Sequence, residues 1–393
     1  MSKCQRHSQN LDVTEFCEKR VQSKGRFTFL AVGDIVLANC MSHEGPGTKF
    51  ERNDPKYPFL RIASVLQKAD VVFGNLECPL TSRGTPRTDL PDVFRGSPNA
   101  AEGLRFAGFD IVSIANNHIL DYGIVGLCDT IEALSTHNIR YVGAGMNVSE
   151  ARKPAMIHVD DVRTAFLAYS FPLPGPCGMG PTRRAPGFAV KRLRSIVRDV
   201  KSARKVADIV VVSIHRGGTL EDCPASIHVR EAHQIADAGA KIILEHHPHC
   251  LQGVERYGEA VIAYGLGNFV FDHPMEKQRE TAIFRFMLSK DGVSRYEFVP
   301  VYINSNFQPE LAVEPVAGTI SRRMLDMCGE LASVDSSVSR ERDGVRLGGL
   351  LQSFRTGGIL YSLRYLFSRL PDIKPYHVFV FIRCLLVKVK ERH

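Results

Sequence analysis

The sequence predicts a layered α/β domain. Apolar runs with strand character alternate with longer helix-like runs over most of the chain, and each of five such apolar runs closes on an Asp, Glu, Asn or His. The composition is that of a globular protein: 393 residues, 44% of them hydrophobic, suffice for one large core or two modest ones.

The elements follow in order. Residues 27–32 form the first strand-like run, ending in Gly33-Asp34, and 59–68 a helix. Residues 70–73 form the second strand, ending in Gly74-Asn75-Leu76-Glu77, with a helix at 99–107. The third strand, 110–114, opens onto Ala115-Asn116-Asn117-His118 and is followed by a helix at 123–137. After a helix at 190–205, the strand 208–214 ends in His215; a helix at 225–238 then leads to the strand 240–244. That fifth strand opens onto Glu245-His246-His247-Pro248-His249, three histidines in four positions. A helix after each strand returns the chain to the start of the sheet, so the strand ends collect on one edge, where open α/β sheets bind ligands. Segments 260–264, 281–288 and 295–301 have no helices between them and are expected to form a more antiparallel second sheet. The Pro-rich stretch 171–187 is either a lid over the site or a surface excursion.

Charge narrows the function. From Arg342 onward ten Lys/Arg face three Asp/Glu, which accounts for +7 of the chain's +8. A body close to neutral lacks the basic stripe of a nucleic-acid binder, so no nucleic-acid partner is expected. The ten cysteines include no CxxC pair, which excludes zinc-ribbon and thioredoxin-type motifs, and they are expected to stay reduced. The first 26 residues have no continuous apolar stretch, so cytoplasmic residence is the expectation. The organisation expected is a polar N-terminal extension over 1–26, a main domain over 27–310 and a basic amphipathic extension over 311–393. Two readings of the basic tail are open: peripheral contact with an anionic inner membrane face or a partner, or a strand or helix closing the core with its basic residues solvated.

The strand ends carry the chemistry. Hydrolytic divalent metals are held by carboxylate oxygen and imidazole nitrogen. Asp34, Glu77, Asn117, His215, His247 and His249 supply that mixture. Taken singly, Asp34 suits a turn after glycine, Asn117 a loop cap and Glu77 a surface charge; together they suit a metal. Three crowded imidazoles repel one another when protonated and each needs a partner when neutral, and a cation answers both demands. His118 stands beside the candidate ligand Asn117 as a proton donor to a leaving atom. Asp121 either fixes the tautomer of His118 or caps the helix that begins near Gly123.

On these residues the chain resembles the CapA family of poly-γ-glutamate capsule biosynthesis proteins, whose fold is similar to calcineurin-like metallophosphatases. The matching blocks are Val32-Gly33-Asp34, Asn75-Leu76-Glu77, Ala115-Asn116-Asn117-His118 with Asp121 and Gly123, His246-His247-Pro248-His249, and Tyr264-Gly265-Leu266-Gly267-Asn268-Phe269-Val270-Phe271-Asp272. They run in order over about residues 27–301. The resemblance implies a four-layer αββα sandwich of the calcineurin-like metallophosphoesterase type, with a dinuclear site at one edge. It implies Asp34, Glu77, Asn117, His215, His247 and His249 as ligands of two divalent ions (Mn, Zn or Fe), and His118 as the acid. Gly267-Asn268 would belong to a tight loop under the site, although the residues themselves favour a plain turn.

The chain departs from the family pattern at several points. Arg216-Gly217-Gly218-Thr219 replaces the family's tryptophan and following glutamate, Glu245 replaces a glycine, and Val36 stands where calcineurin-like phosphatases carry a histidine. Arg216 either grips an anionic substrate, as a catalytic-site residue, or pairs with Glu221 or Asp222. The implied function is a metal-dependent hydrolase acting on a phosphoester or amide in a polyanionic polymer or its precursor, alongside capsule or polyglutamate synthesis proteins. One alternative is a non-catalytic accessory that binds polyglutamate or a synthetase partner; another is a tailoring role in small-peptide biosynthesis.

Overall fold

The structure, a computed structural model, describes residues 25–40, 54–88, 92–171, 185–271 and 275–337. Nearly all of the N-terminal extension, most of the Pro-rich loop, Asp272 and the basic tail beyond 337 lie outside the described residues.

Six strands lead to the site: β1 (Arg26–Ile35), β2 (Val71–Leu76), β3 (Ile111–Ser113), β4 (Ile209–His215), β5 (Ile242–His246) and β6 (Asn268–Val270). They divide between two sheets. In the larger, β1, β2, β3 and Arg140–Val142 lie side by side in parallel, and β6 pairs in parallel with the end of β1. The other edge of β1 is covered by an antiparallel meander of Glu280–Ser289, Gly292–Ile303 and Pro309–Leu311. The second sheet has the order Val254–Tyr257, Ala260–Ala263, β5, β4, Val162–Ser170, Ala155–Val159. The expected antiparallel second sheet is therefore not formed as such. Glu280–Ser289 and Gly292–Ile303 extend the first sheet, while Ala260–Ala263 joins β5 in parallel. Apolar alternation identifies a strand but does not say which edge it will pair with.

The two sheets face each other across aromatic rings. Phe166 packs at 5.6 Å from Phe29 and 5.9 Å from Phe73, and Phe29 also stacks on Phe286. Each such buried ring contributes roughly 2–3 kcal/mol by burial, with a smaller geometric increment. Period-two alternation assigns the faces of the second sheet. Ile209 and Val211 of β4 and Ile242 and Leu244 of β5 join the core between the sheets, whereas Val210, Val212, Ile214 and Ile243 turn outward. There they meet α3 (Leu193–Ala203) and α4 (Ser226–Asp237) through Ile196, Val200, Val229, Ala232 and Ile235, spaced three or four apart as one helix face requires.

On the outer side of the first sheet lie α1 (Ala100–Ala107) and α2 (Gly123–Thr136), whose Ala101, Leu104, Leu127 and Leu134 are buried in the same core. The layers are thus helix, sheet, sheet, helix. A later helix, α5 (Val316–Ser337), buries Ile320, Met324, Met327 and Leu331 on one face. The expected helix at 59–68 is broken into a 3₁₀ turn at Tyr57–Phe59 and a single α turn at Ala63–Leu66, neither with a side-chain cap. Among the described residues no helix is long and apolar enough to cross a membrane.

Candidate metal centre

Alternation carries the chemistry inward. Phe73 lies between the sheets, so Asn75 and then Glu77, two and four residues on, face the same way. By the same count His215 continues the inner face of β4 and His246 that of β5. Gly33 lets β1 run against the loop before β6: a Cβ there would stand 2.0 Å from the Gly267 carbonyl oxygen. That close approach brings Asp34 into register with Asn268. His247 and His249 follow β5 with φ of 94° and 56°, a left-handed backbone that aims both imidazoles at the cleft between the sheets.

The six expected ligands converge as two groups that share Glu77. In the first, donor atoms of Glu77, His215 and His247 lie within 4.8 Å of one another. His215 Nε2 is 3.3 Å from Glu77 Oε1, 3.1 Å from His247 Nδ1 and 2.6 Å from Asn117 Oδ1. One ring nitrogen cannot satisfy three such neighbours by hydrogen bonding, whereas a cation can be shared by all of them. The second group is Asp34, Glu77 and His249, with His249 Nδ1 at 3.4 Å from Asp34 Oδ2. Both oxygens of the buried Glu77 carboxylate lack a hydrogen-bond partner among the described residues.

The protonation states of Asp34, His215 and His247 suit a cation. Burial, reinforced by the charge of Asp34, pushes the Glu77 carboxyl up to about 8, as expected of a carboxylate missing its counter-ion. Burial alone would also raise Asp34, but hydrogen bonds from His246 and His249 hold it well below the usual carboxylate range. Burial and neighbouring imidazoles keep His215 and His247 well below the ordinary histidine value, hence neutral with lone pairs to offer. For His249 burial acts the same way, but Glu77 and Asp34 outweigh it and raise the ring to about 9. An orphaned carboxylate beside neutral imidazoles, an ionised Asp34 and an amide oxygen is a donor set that fits Zn²⁺, Mn²⁺ or Fe²⁺.

Next to this centre His118 Nδ1 stands 2.8 Å from Asp121 Oδ2. Burial disfavours the imidazolium, but Asp121, with Glu77 behind it, raises the His118 pKa above the ordinary value. Asp121 does not cap α2, whose first turn makes no side-chain cap bond. Instead its Oδ2 accepts the Phe94 N–H at 2.8 Å and fixes the His118 ring. Phe94 lies edge-on to His118 at 4.5 Å, and Phe171 sits 4.9 Å from His247.

Arg216 requires a correction. Continuing the outer face of β4, its side chain is 2% exposed and turned away from the centre. Nε donates to Glu245 at 2.8 Å, Nη1 to Glu231 at 2.6 Å and Nη2 to both Glu245 and the His228 carbonyl. Its partners are neither Glu221 nor Asp222, and no N–H group faces a substrate, so the substrate-gripping reading is withdrawn.

Three residues of the cluster were left out of the expected ligand set, one of them, His246, although it is among the three crowded imidazoles. Asn75 donates to Asp34 Oδ1 at 2.9 Å and lies 3.2 Å from His215 Nδ1, which ties the two sheets together at the centre. Counting back two residues from Glu77 along one face would have found it. Asn268, read as part of a plain turn, belongs to β6 and meets His249 Nδ1 at 3.0 Å. His246 stands 3.1 Å from Asp34 Oδ1.

A family model described as bacterial capsule synthesis protein PGA_cap matches residues 28–273, the span that contains every residue of this centre. The chain belongs to the PGA_cap family. Among its relatives is the PGA biosynthesis protein CapA of Bacillus subtilis, 33% identical over 275 residues, 70% of this chain and 70% of that protein. The capsule biosynthesis protein CapA of Bacillus anthracis is 30% identical over 285 residues, 71% of this chain and 68% of its own. Among solved structures, the calcineurin-like phosphoesterase YfkN of Bacillus subtilis aligns over 78% of this chain and 99% of its own, with 14% identity and a TM-score of 0.41. Capsule synthesis is thus the setting of the PGA_cap family and of these two relatives.

Proposed function

We propose that this chain is a divalent-metal-dependent hydrolase in capsule or poly-γ-glutamate synthesis, cutting a phosphoester or amide bond in a polyanionic polymer or its precursor. The observation that carries this reading is Glu77, a buried carboxylate with neither oxygen hydrogen-bonded, shared by two groups of metal-competent side chains. Divalent ions held there supply Lewis-acid polarisation of the scissile group and a nucleophile at neutral pH.

The remaining roles belong to the chain's own residues. Asp34, His249 and the Glu77–His215–His247 group with Asn117 hold the charge in place, and Asn75 keeps the two sheets' contributions aligned. His118, with Nδ1 fixed by Asp121, presents Nε2 to the leaving oxygen or nitrogen and hands it a proton. Phe94 and Phe271, packed on His118 and His249, keep water from the side of the reacting bond.

The test is metal analysis of the purified full chain together with turnover of a phosphodiester, a phosphomonoester and a γ-glutamyl peptide. Bound metal, and turnover of one substrate class that falls 10²- to 10⁴-fold in His118→Ala, is the expected result (about that range for a lost general acid). Metal without turnover on any of the three leaves an accessory that binds the polymer, and absence of metal overturns the hydrolase.

A further inference from the structure

The outer layer of the second sheet carries a charge pattern that the metal centre does not use. Arg194, Arg198 and Lys201 of α3, at spacings of four and three, share one helix face, and Lys205 follows four residues on in the turn that closes the helix. All four are exposed, whereas Ile196, Val200 and Ala203, each two residues beyond one of the first three, are buried on the opposite side. The row holds no acid. Asp199, the one carboxylate of the helix, accepts from Arg152 at 2.8 and 2.6 Å and from the Tyr169 hydroxyl at 2.8 Å, while Arg198 stands 3.9 Å from it and remains 67% exposed. Helix stability does not account for the row. Cations three and four apart repel one another, and Arg192 and Arg194 stand at the N-terminal end, where the helix dipole disfavours positive charge.

The row also starts beside the metal centre. Val162–Ser170 and β4 are parallel, so the helix between them in sequence runs back from the ligand-bearing ends of those strands. Ser170 is in register with His215, its carbonyl accepts the Lys191 N–H at 2.6 Å, and Phe171 stacks on His215 at 6.0 Å. From Arg194 to Lys205 the cations then extend roughly 16 Å away from that edge.

We propose that the exposed face of α3 is a docking track for an acidic polymer, a polycarboxylate chain of the polyglutamate class, held along the helix with one end at the metal centre. The inference rests on the capsule-synthesis reading above and adds a binding surface to it. Successive cations about 5–6 Å apart meet a flexible chain that carries a carboxylate on every residue, and the planar fork of Arg194 and Arg198 suits carboxylate oxygens. Residues 192–206 contain no aromatic side chain on which a base would stack, and Val206 is the one large apolar side chain exposed there, too little to insert into a membrane. The chain's own tail, net +7 from Arg342 onward, has the wrong sign to occupy the track.

The test follows binding of fluorescein-labelled poly-γ-glutamate to the full chain by anisotropy, in chelator so that no ion contributes. Arg194→Gln, Arg198→Gln, Lys201→Gln and Lys205→Gln combined, all surface changes, are expected to weaken binding about tenfold or more and to flatten its salt dependence. Arg61→Gln, Lys68→Gln, Arg105→Gln and Arg140→Gln combined remove the same charge from exposed positions on and around the first sheet, and are expected to change binding less than about threefold. Equal losses in the two variants overturn the track, as does wild type that does not bind the polymer or a row variant that binds it unchanged. Tighter, row-dependent binding of duplex DNA or of phosphatidylserine vesicles overturns the polycarboxylate as occupant. Wild type that holds no metal ion but binds the polymer through the row overturns the hydrolase and leaves the track standing.

Discussion

Where β4 and β5 end, two clusters of buried charge lie one residue apart in sequence and on opposite faces of the same sheet. On the outer face Arg216 is closed in by Glu245, Glu231 and a carbonyl, and Lys191 reaches Glu231 from the rim at 2.5 Å. On the inner face neither oxygen of Glu77 has a hydrogen-bond partner among the described residues, although the side chain is fully buried. Desolvation penalises both clusters, but the outer carboxylates are answered by Arg216 and Lys191, whereas Glu77 accepts no hydrogen bond from any described residue. The difference separates carboxylates that the described fold satisfies from one that it leaves without a hydrogen bond.

The largest effect should come from the outer cluster. Arg216→Met leaves Glu245 buried without its counter-ion and is expected to cost roughly 3–5 kcal/mol. Urea denaturation measures it, and a loss under about 1 kcal/mol would mean that this cluster is not structural. Metal removal comes next. At an ion concentration a hundred times Kd, the ion-loaded chain should be about 2.7 kcal/mol more stable than the chelated one, and identical melting curves with and without chelator would break the contrast.

Glu77→Gln sharpens it further. In chelator above about pH 8, where Glu77 ionises without a hydrogen-bond partner among the described residues, the variant should gain on the order of 1 kcal/mol, while its uptake of both ions is lost. The pH dependence has a definite sign. Glu77 is raised from 4.5 to about 8, so between those values the folded chain keeps a proton that the unfolded chain has released. Stability without metal therefore falls as pH rises through that window. His249, raised from 6.5 to about 9, acts in the same direction above 6.5. The metal-free melting temperature should decline between pH 6.5 and 8, less steeply in Glu77→Gln, whereas ion affinity should rise with pH because binding displaces protons. The smallest effect belongs to the rim: Lys191→Met should cost less than about 1 kcal/mol and be muted by salt.

Much of this arrangement was legible in the sequence. Apolar runs closed by Asp34, Glu77, Asn117 and His215 announced strand ends whose polar side chains collect on one edge, because such side chains are out of place after a buried strand unless something uses them. The partition of the strands between two sheets was not legible, since edge pairing is decided by contacts far apart in the chain. The hairpin Ala155–Val159 and Val162–Ser170 went unread: it carries no motif, and its second strand is almost wholly buried, leaving little polar alternation to mark it. Asn75 was hidden for a related reason. It sits inside an apolar strand, and its place in the cluster appears only once the direction of every second side chain is known. Arg216 was misjudged because its partner, Glu245, lies 29 residues away on the neighbouring strand.

The left-handed backbone at His247 and His249 bears on how this family can drift. A residue other than glycine or asparagine in that conformation carries about 1–3 kcal/mol of strain, so stability selection alone would replace both histidines. A lineage released from the need for these imidazoles should therefore relax to Gly or Asn at the two positions within few mutational steps. On the proposed metal-dependent reading, homologues that keep histidine at both would be the ones still under selection for the centre, which would make these positions a sequence marker for it.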